Sequence, residues 1–230
     1  MTRRALALVA VVASLATVGA DRAIGADRDV TRWAYVLAPV TARTAPSWSA
    51  QRITLVRRAT PEGETNLVVL LATRRDPAGS DWARIRLAVL PNGSTGWVPR
   101  ESLGEVHVVR TRLVVDRTRL TATLFRRGVA VFRAPIGVGT ASWPTPRGTF
   151  YVRQRLTGFG DPFYGPIAFG LSARSAVLTD WPGGGYVGIH GTNLPELLPG
   201  RVSHGCIRLR NEDVLRLAGR MPLGTPVVVR

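Results

Sequence analysis

The single cysteine of this 230-residue chain, Cys206, lies in the string Ser203-His204-Gly205-Cys206-Ile207-Arg208. Two of the three histidines lie nearby, His204 two residues upstream and His190 sixteen upstream. A thiol attacks carbon as its thiolate, and a neighbouring imidazole both lowers its pKa and accepts its proton. A free cysteine can instead serve as a small core hydrophobe. Here the flanking glycine and the polar Ser203 and His204 describe an exposed turn, which points to nucleophilic catalysis. Backbone N–H groups around Gly205 and Cys206 in such a turn can face the oxygen of a carbonyl under attack. Either histidine is a candidate base, taking the thiol proton and passing it to a leaving amine.

These groups need elements to position them. Val187-Gly188-Ile189 reads as a short apolar strand that delivers His190 at its end, and Gly191 leaves room for a substrate chain. Ser203 to Cys206 is a tight turn entering a strand Ile207-Arg208-Leu209, with Ser203 a turn-former rather than a reactant. Arg208 has two readings, an anchor for a substrate carboxylate or a structural ion pair. A backbone carbonyl near Gly191 would orient His190 as well as a side chain would. Trp143, Trp181 and Tyr186 line the cleft or pack at its edge. Gly183-Gly184-Gly185 is too long a glycine run for a strand; it suits a flap and lacks the Lys-Ser/Thr ending of a phosphate loop. Asp161 to Gly165 reads as a substrate-facing loop.

The fold class is mostly β. Between residues 30 and 104 short apolar runs (Trp33–Leu37, Leu67–Leu71, Trp82–Leu87, Gly96–Pro99) alternate with turns such as Pro61-Glu62-Gly63 and Pro91-Asn92-Gly93, the pattern of a small barrel. The segment from Trp82 to Leu103 resembles the last strands of a bacterial SH3-like domain; a generic barrel without a binding role gives the same pattern. A second unit, 110–230, reads as a β-sandwich with one or two short helices. Its strands are expected at Leu113–Asp116, Leu120–Phe125, Val129–Phe132, Thr149–Val152 and Pro226–Val229. A late helix is expected with Asn211 as its cap, Glu212 and Asp213 at its positive end, and Val214, Leu215, Leu217 and Ala218 as its apolar face.

Arg3 and Arg4 precede an uncharged apolar run of sixteen residues, Ala5 to Ala20. Small residues allow cleavage before Asp21 or Asp27, so residues 1–26 read as a secretory signal. A retained membrane anchor is the alternative, although a spanning helix usually needs about 20 apolar residues. Either way the rest of the chain is placed outside the cytoplasm. A lone cysteine excludes an internal disulfide framework and a closed four-ligand zinc site of cysteine and histidine. The net charge of +16 is carried by arginine, with no lysine in the chain. The arginines are scattered, and no nucleic-acid motif accompanies them, which argues against a nucleic-acid partner.

Ile189-His190-Gly191-Thr192-Asn193 and Ser203-His204-Gly205-Cys206-Ile207-Arg208, with twelve positions (191–202) between His190 and Ser203, resemble the signature of the L,D-transpeptidase catalytic domain, the YkuD domain. Gly137-Val138-Gly139 and Pro144-Thr145-Pro146-Arg147-Gly148-Thr149-Phe150 are similar to its glycine stretch and Thr-Pro-x-Gly-x-Phe segment. The resemblance spans about 110 to 230. It implies Cys206 as nucleophile, His190 as base, His204 and Gly205 on the oxyanion side, and Arg208, Gly191, Ser203 and Tyr186 against the substrate. It further implies peptidoglycan stem peptides as substrate, with Cys206 attacking the third residue, D-Ala released and a 3→3 cross-link formed. An L,D-carboxypeptidase using the same site, or a wall-binding protein without catalysis, would carry similar sequences. No metal or organic cofactor is implied, and a monomer is expected.

Overall fold

The computed structural model describes residues 22–23, 30–158, 161–179 and 184–230. The expected signal segment, except for Arg22–Ala23, lies outside the described residues, as do Trp181 and Gly183. Among the described residues no helix is long and apolar enough to cross a membrane.

The first sheet is wholly antiparallel. Its strands run in the spatial order Arg52–Val56, Val40–Arg43, Thr95–Pro99, Asp81–Arg86, Leu67–Arg75, Thr31–Tyr35 and His107–Val109, with Arg22–Ala23 also pairing against Leu67–Arg75. Alternating residues of these strands, among them Ala34, Val68, Leu70, Ile85 and Val98, close over one core. Two strands have no expectation behind them. Val40–Arg43 and Arg52–Val56 are only four and five residues long, and in the edge strand Arg52–Val56 both Ile53 and Leu55 remain exposed; so short a run leaves a weak period. The sheet extends to Val109, past the expected boundary at 104, because His107–Val109 pairs with Thr31–Tyr35.

The chain changes sheet between Val109 and Thr111. The second sheet has ten strands: Val129–Pro135, Thr121–Arg126, Thr111–Asp116, Pro226–Val229, Gly148–Thr157, Ile167–Arg174, Tyr186–His190, Ile207–Arg208, Gly137–Gly139 and Gly200–Ser203. The ten-residue strand Gly148–Thr157 joins its halves, pairing through its start with Pro226–Val229 and through its end with Ile167–Arg174. Three pairings are parallel, including Tyr186–His190 with Ile207–Arg208. Leu113, Leu124, Phe150, Phe169, Ile189 and Ile207 fill the core between them, covered by the helix Asn211–Ala218 through Val214 and Leu217.

The helix begins where the sequence predicts, but its cap differs. Arg210 occupies the N-cap with no side-chain cap hydrogen bond, and Asn211 is the first helical residue. Its amide serves another strand connection, described below.

The two sheets share a third core of Trp33, Leu67, Val69 and Val109 with Tyr151 of the second sheet. Polar contacts fix the same seam. Asn92 donates to the Arg174 carbonyl at 2.7 Å and accepts from its N–H at 3.0 Å, copying one rung of a β-ladder across the interface. Tyr186 donates to the Ala88 carbonyl at 3.2 Å. Gly224, at φ +76, lies where a Cβ would fall 2.1 Å from a Trp33 ring carbon. Gly63, at φ +88, meets nothing within 4 Å. Gly224→Ala should therefore lower stability by about 1–3 kcal/mol more than Gly63→Ala, since both carry the backbone cost but only one overpacks the seam; equal shifts in urea midpoint would contradict the tight docking.

Candidate active site

The parallel register aligns Ile189 with Ile207 and His190 with Arg208. Side chains alternate across a strand, so His190, Arg208 and Cys206 lie on one face, opposite the inward-facing Ile189 and Ile207. Cys206 thereby sits level with Gly188, whose N–H points to Sγ at 3.4 Å. All three side chains line one cleft with Phe163, Tyr164 and Tyr186.

His190 is buried, and its Nδ1 lies 2.7 Å from the Gly191 carbonyl. A carbonyl only accepts, so Nδ1 carries the proton and Nε2 is left as the basic nitrogen. The same Gly191–Thr192 peptide is held from its other side, its N–H donating to Asn211 Oδ1 at 2.9 Å. A side chain at Gly191 would strike that amide, with a Cβ falling 2.2 Å from Oδ1. Gly191 is thus required by packing against Asn211, a role that the sequence reading did not include. Gly165, at φ +66, is confined by the same amide and by Gly191.

Asp161 to Gly165 forms a short 3-10 turn over the imidazole. Asp161 Oδ1 accepts from the Phe163 N–H at 2.9 Å, with Pro162 at the first position. Phe163 and Tyr164 then stand 5.8 and 5.1 Å from the His190 ring centre.

The turn before the thiol is clamped by Ser203. Its hydroxyl donates to the Cys206 carbonyl at 2.6 Å and accepts from the Gly205 N–H at 3.1 Å. Ser203 is thus placed as a turn-former, as the sequence suggests, and the Gly205 N–H is engaged by its hydroxyl. Gly205 supplies the turn's conformation, at φ +116. Beneath it, Thr140 N–H donates to the Ser203 carbonyl at 3.0 Å, and buried Thr145 accepts from the Gly139 N–H at 2.8 Å. A Cβ at Gly139 would fall 2.1 Å from the Trp143 carbonyl, which accounts for both the glycine stretch and the Thr-Pro segment. His204 is exposed at the rim, its ring 4.4 Å from Trp143.

Arg208 is buried, stacks 4.4 Å over Phe163 and leaves Nε without a partner. It forms no ion pair among the described residues. Tyr186 lies between the guanidiniums of Arg153 and Arg174, at 4.2 and 4.7 Å. Gly185 is pinned, its carbonyl accepting from Ser175 N–H at 2.8 Å. Phe163, Tyr164 and Asn211 escaped the sequence reading as neighbours of His190. The Asp-Pro start of a helical turn was a visible signal for the first two, whereas nothing local marks Asn211.

Burial dominates the electrostatics. It pushes the His190 imidazole down to about 4, with the Gly191 carbonyl opposing and nearby Arg208 adding to the shift. It pushes the Cys206 thiol up, against smaller lowering effects of the Gly188 N–H and Arg208, although the residue keeps part of its surface open. Near neutral pH the resting pair is therefore thiol and neutral imidazole, not the thiolate expected from an adjacent histidine.

Comparisons with known proteins agree on one family. The family model described as the L,D-transpeptidase catalytic domain, YkuD, matches residues 110–229. A putative L,D-transpeptidase YkuD of Bacillus licheniformis is 38% identical over 118 residues, 51% of this chain and 64% of its own length. Its counterpart in Bacillus subtilis is 38% identical over 127 residues, 55% of this chain and 70% of that protein. The solved catalytic domain of an Enterococcus faecium L,D-transpeptidase is 27% identical, covering 52% of this chain and 96% of its own, with a TM-score of 0.41.

Two outcomes check this geometry. In an NMR pH titration the His190 ring should stay neutral down to about pH 4. Its unfolded counterpart protonates near 6.5, so its contribution to stability is complete above 6.5 and disappears as pH falls towards 4; a folded-state midpoint at 6–7 would contradict it. Asn211→Ala should cost about 1 kcal/mol in denaturant unfolding and shift the His190 ring resonances, by removing the acceptor for Thr192.

Proposed function

We propose that this chain, which belongs to the L,D-transpeptidase catalytic-domain (YkuD) family, is an exported peptidoglycan L,D-transpeptidase that works by cysteine acyl transfer. The observation that carries the reading is the common face of Cys206 and His190 on adjacent parallel strands, open to one cleft, with the Nδ1 proton of His190 committed to a carbonyl. The charged leader Arg3-Arg4 and the apolar run behind it support export.

In the first half-reaction His190 Nε2 takes the proton from Cys206 as Sγ bonds to the carbonyl carbon of the third stem residue. The depressed basicity of the imidazole keeps it unprotonated and ready, while the raised thiol pKa means that the proton leaves as the S–C bond forms. Collapse of the tetrahedral adduct breaks the bond to D-Ala, whose nitrogen receives the proton from His190. This leaves a thioester. In the second half-reaction the side-chain amine of a diamino acid on another stem attacks it, gives up a proton through His190 and releases the thiol, forming a 3→3 cross-link. Since the Gly205 N–H is engaged by Ser203, we assign oxyanion stabilisation to the Cys206 N–H, with His204 at the rim of that side. Arg208, without an ion pair among the described residues and facing the cleft, suits the anchor reading for a substrate carboxylate. Tyr186 forms the wall beside it.

Intact-mass analysis after incubation with a disaccharide-tetrapeptide should show an adduct equal to the donor minus D-Ala, and Cys206→Ser should abolish it. Digestion of treated sacculi should yield new 3→3 dimers. An adduct on the Ser variant would overturn the nucleophile, and tripeptides without dimers would replace transfer with hydrolysis.

A further inference from the structure

Between the two sheets runs a second cavity of about 580 Å3 that the reaction above does not use. Its walls carry four arginines, Arg57 and Arg86 from the first sheet's side and Arg153 and Arg174 from the second, and no acidic side chain among the described residues lines it. None of the four forms an ion pair among the described residues. Arg153 is only 4% exposed, yet its Nε has no hydrogen-bond partner; the Nε of Arg174 is likewise unpartnered. Both guanidiniums stand over the Tyr186 ring. Stacking on a ring face partly offsets the loss of water, and Arg174 also donates an N–H to the Gly184 carbonyl, but the charges and both Nε groups remain unanswered. Burial draws the basicity of Arg86 downward. Several like charges in one partly enclosed groove repel one another, and an anion there relieves both costs at once.

We propose that this groove is a binding site for the free carboxylates of a peptidoglycan stem peptide, whose chain leaves the Cys206 cleft past Tyr186. The proposal rests on the peptidoglycan reading and deepens it by adding a subsite. Tyr186 is the connection, because it lines both the cleft and the groove. An arginine fork matches a carboxylate bidentately, and arginines contributed by two sheets read a charged chain only while the sheets are docked. That gives the seam of Asn92, Tyr151 and Tyr186 a task in recognition as well as in folding.

Binding, not turnover, tests the proposal. Full-length chain carrying Cys206→Ala is titrated calorimetrically with a disaccharide-tetrapeptide bearing free carboxylates, with the same compound amidated, and with a glycerol-phosphate oligomer. The free acid should bind about tenfold or more tightly than the amide, and added salt should erase the difference. Arg57→Gln/Arg86→Gln, from less buried positions, should remove the preference while its unfolding midpoint stays near that of the parent; Arg174→Gln provides a second variant from the opposite wall. Equal affinity for acid and amide, no detectable binding, or a preference that survives in both variants would overturn the proposal, and tighter binding of the phosphate oligomer would reassign the groove to a phosphate polymer. Release of D-Ala by the unmodified chain is measured separately, so a failed subsite and a failed transpeptidase reading give different patterns.

Discussion

The parallel pairing of Tyr186–His190 with Ile207–Arg208 is the constraint on which the site depends. A slip of one residue would turn His190, Cys206 or both into the core and bring Ile189 or Ile207 out. The hydrophobic core prevents that slip, because Ile189 and Ile207 are both fully buried within it. Packing of two isoleucines on one side of the sheet thus places thiol and imidazole on the same opposite face, lining one cleft. The glycines serve the same register. Gly188 exposes an N–H to sulfur, Gly191 admits the Asn211 amide, and Gly139 allows the loop beneath the cysteine turn to close.

Burial gives this pair its chemical character. A partly enclosed cleft penalises thiolate and imidazolium alike, so the resting site holds its proton on sulfur and its base free. The Asn211–Thr192–Gly191–His190 chain fixes which nitrogen is basic without placing a carboxylate beside the ring. A carboxylate there would favour imidazolium; a carbonyl orients the ring with far less charge stabilisation. Arg208 works in the same direction on the imidazole, disfavouring imidazolium, but on the thiol it opposes burial, favouring thiolate by a smaller amount.

The two sheets meet through apolar packing around Trp33 and Tyr151 and through hydrogen bonds that reach backbone carbonyls. Such contacts tie position closely, since each joins a short or rigid side chain, Asn92 or Tyr186, to the backbone of the opposite sheet's side. The first sheet therefore bears on the catalytic sheet at Arg174 and Tyr186, close to the cleft.

Sequence by itself singled out the candidate residues for chemistry and much of the strand inventory. A unique thiol with two nearby imidazoles, and the run Pro226–Val229, are local signals that stand out against a histidine-poor, turn-rich background. Longer apolar runs were legible; Ile167–Arg174, buried on nearly every residue, shows no two-residue alternation, and Val40–Arg43 and Arg52–Val56 alternate over only four or five residues. Ser203 as a turn-former was legible locally, since its partners lie two and three residues away; only the tertiary structure decided that Gly191 makes room for Asn211, twenty residues on in the chain. Charge states were likewise beyond the sequence: an imidazole near a thiol suggests an ion pair, and the amount of water around both reverses that expectation. Burial is a property of the assembled sheets, and no single strand carries it.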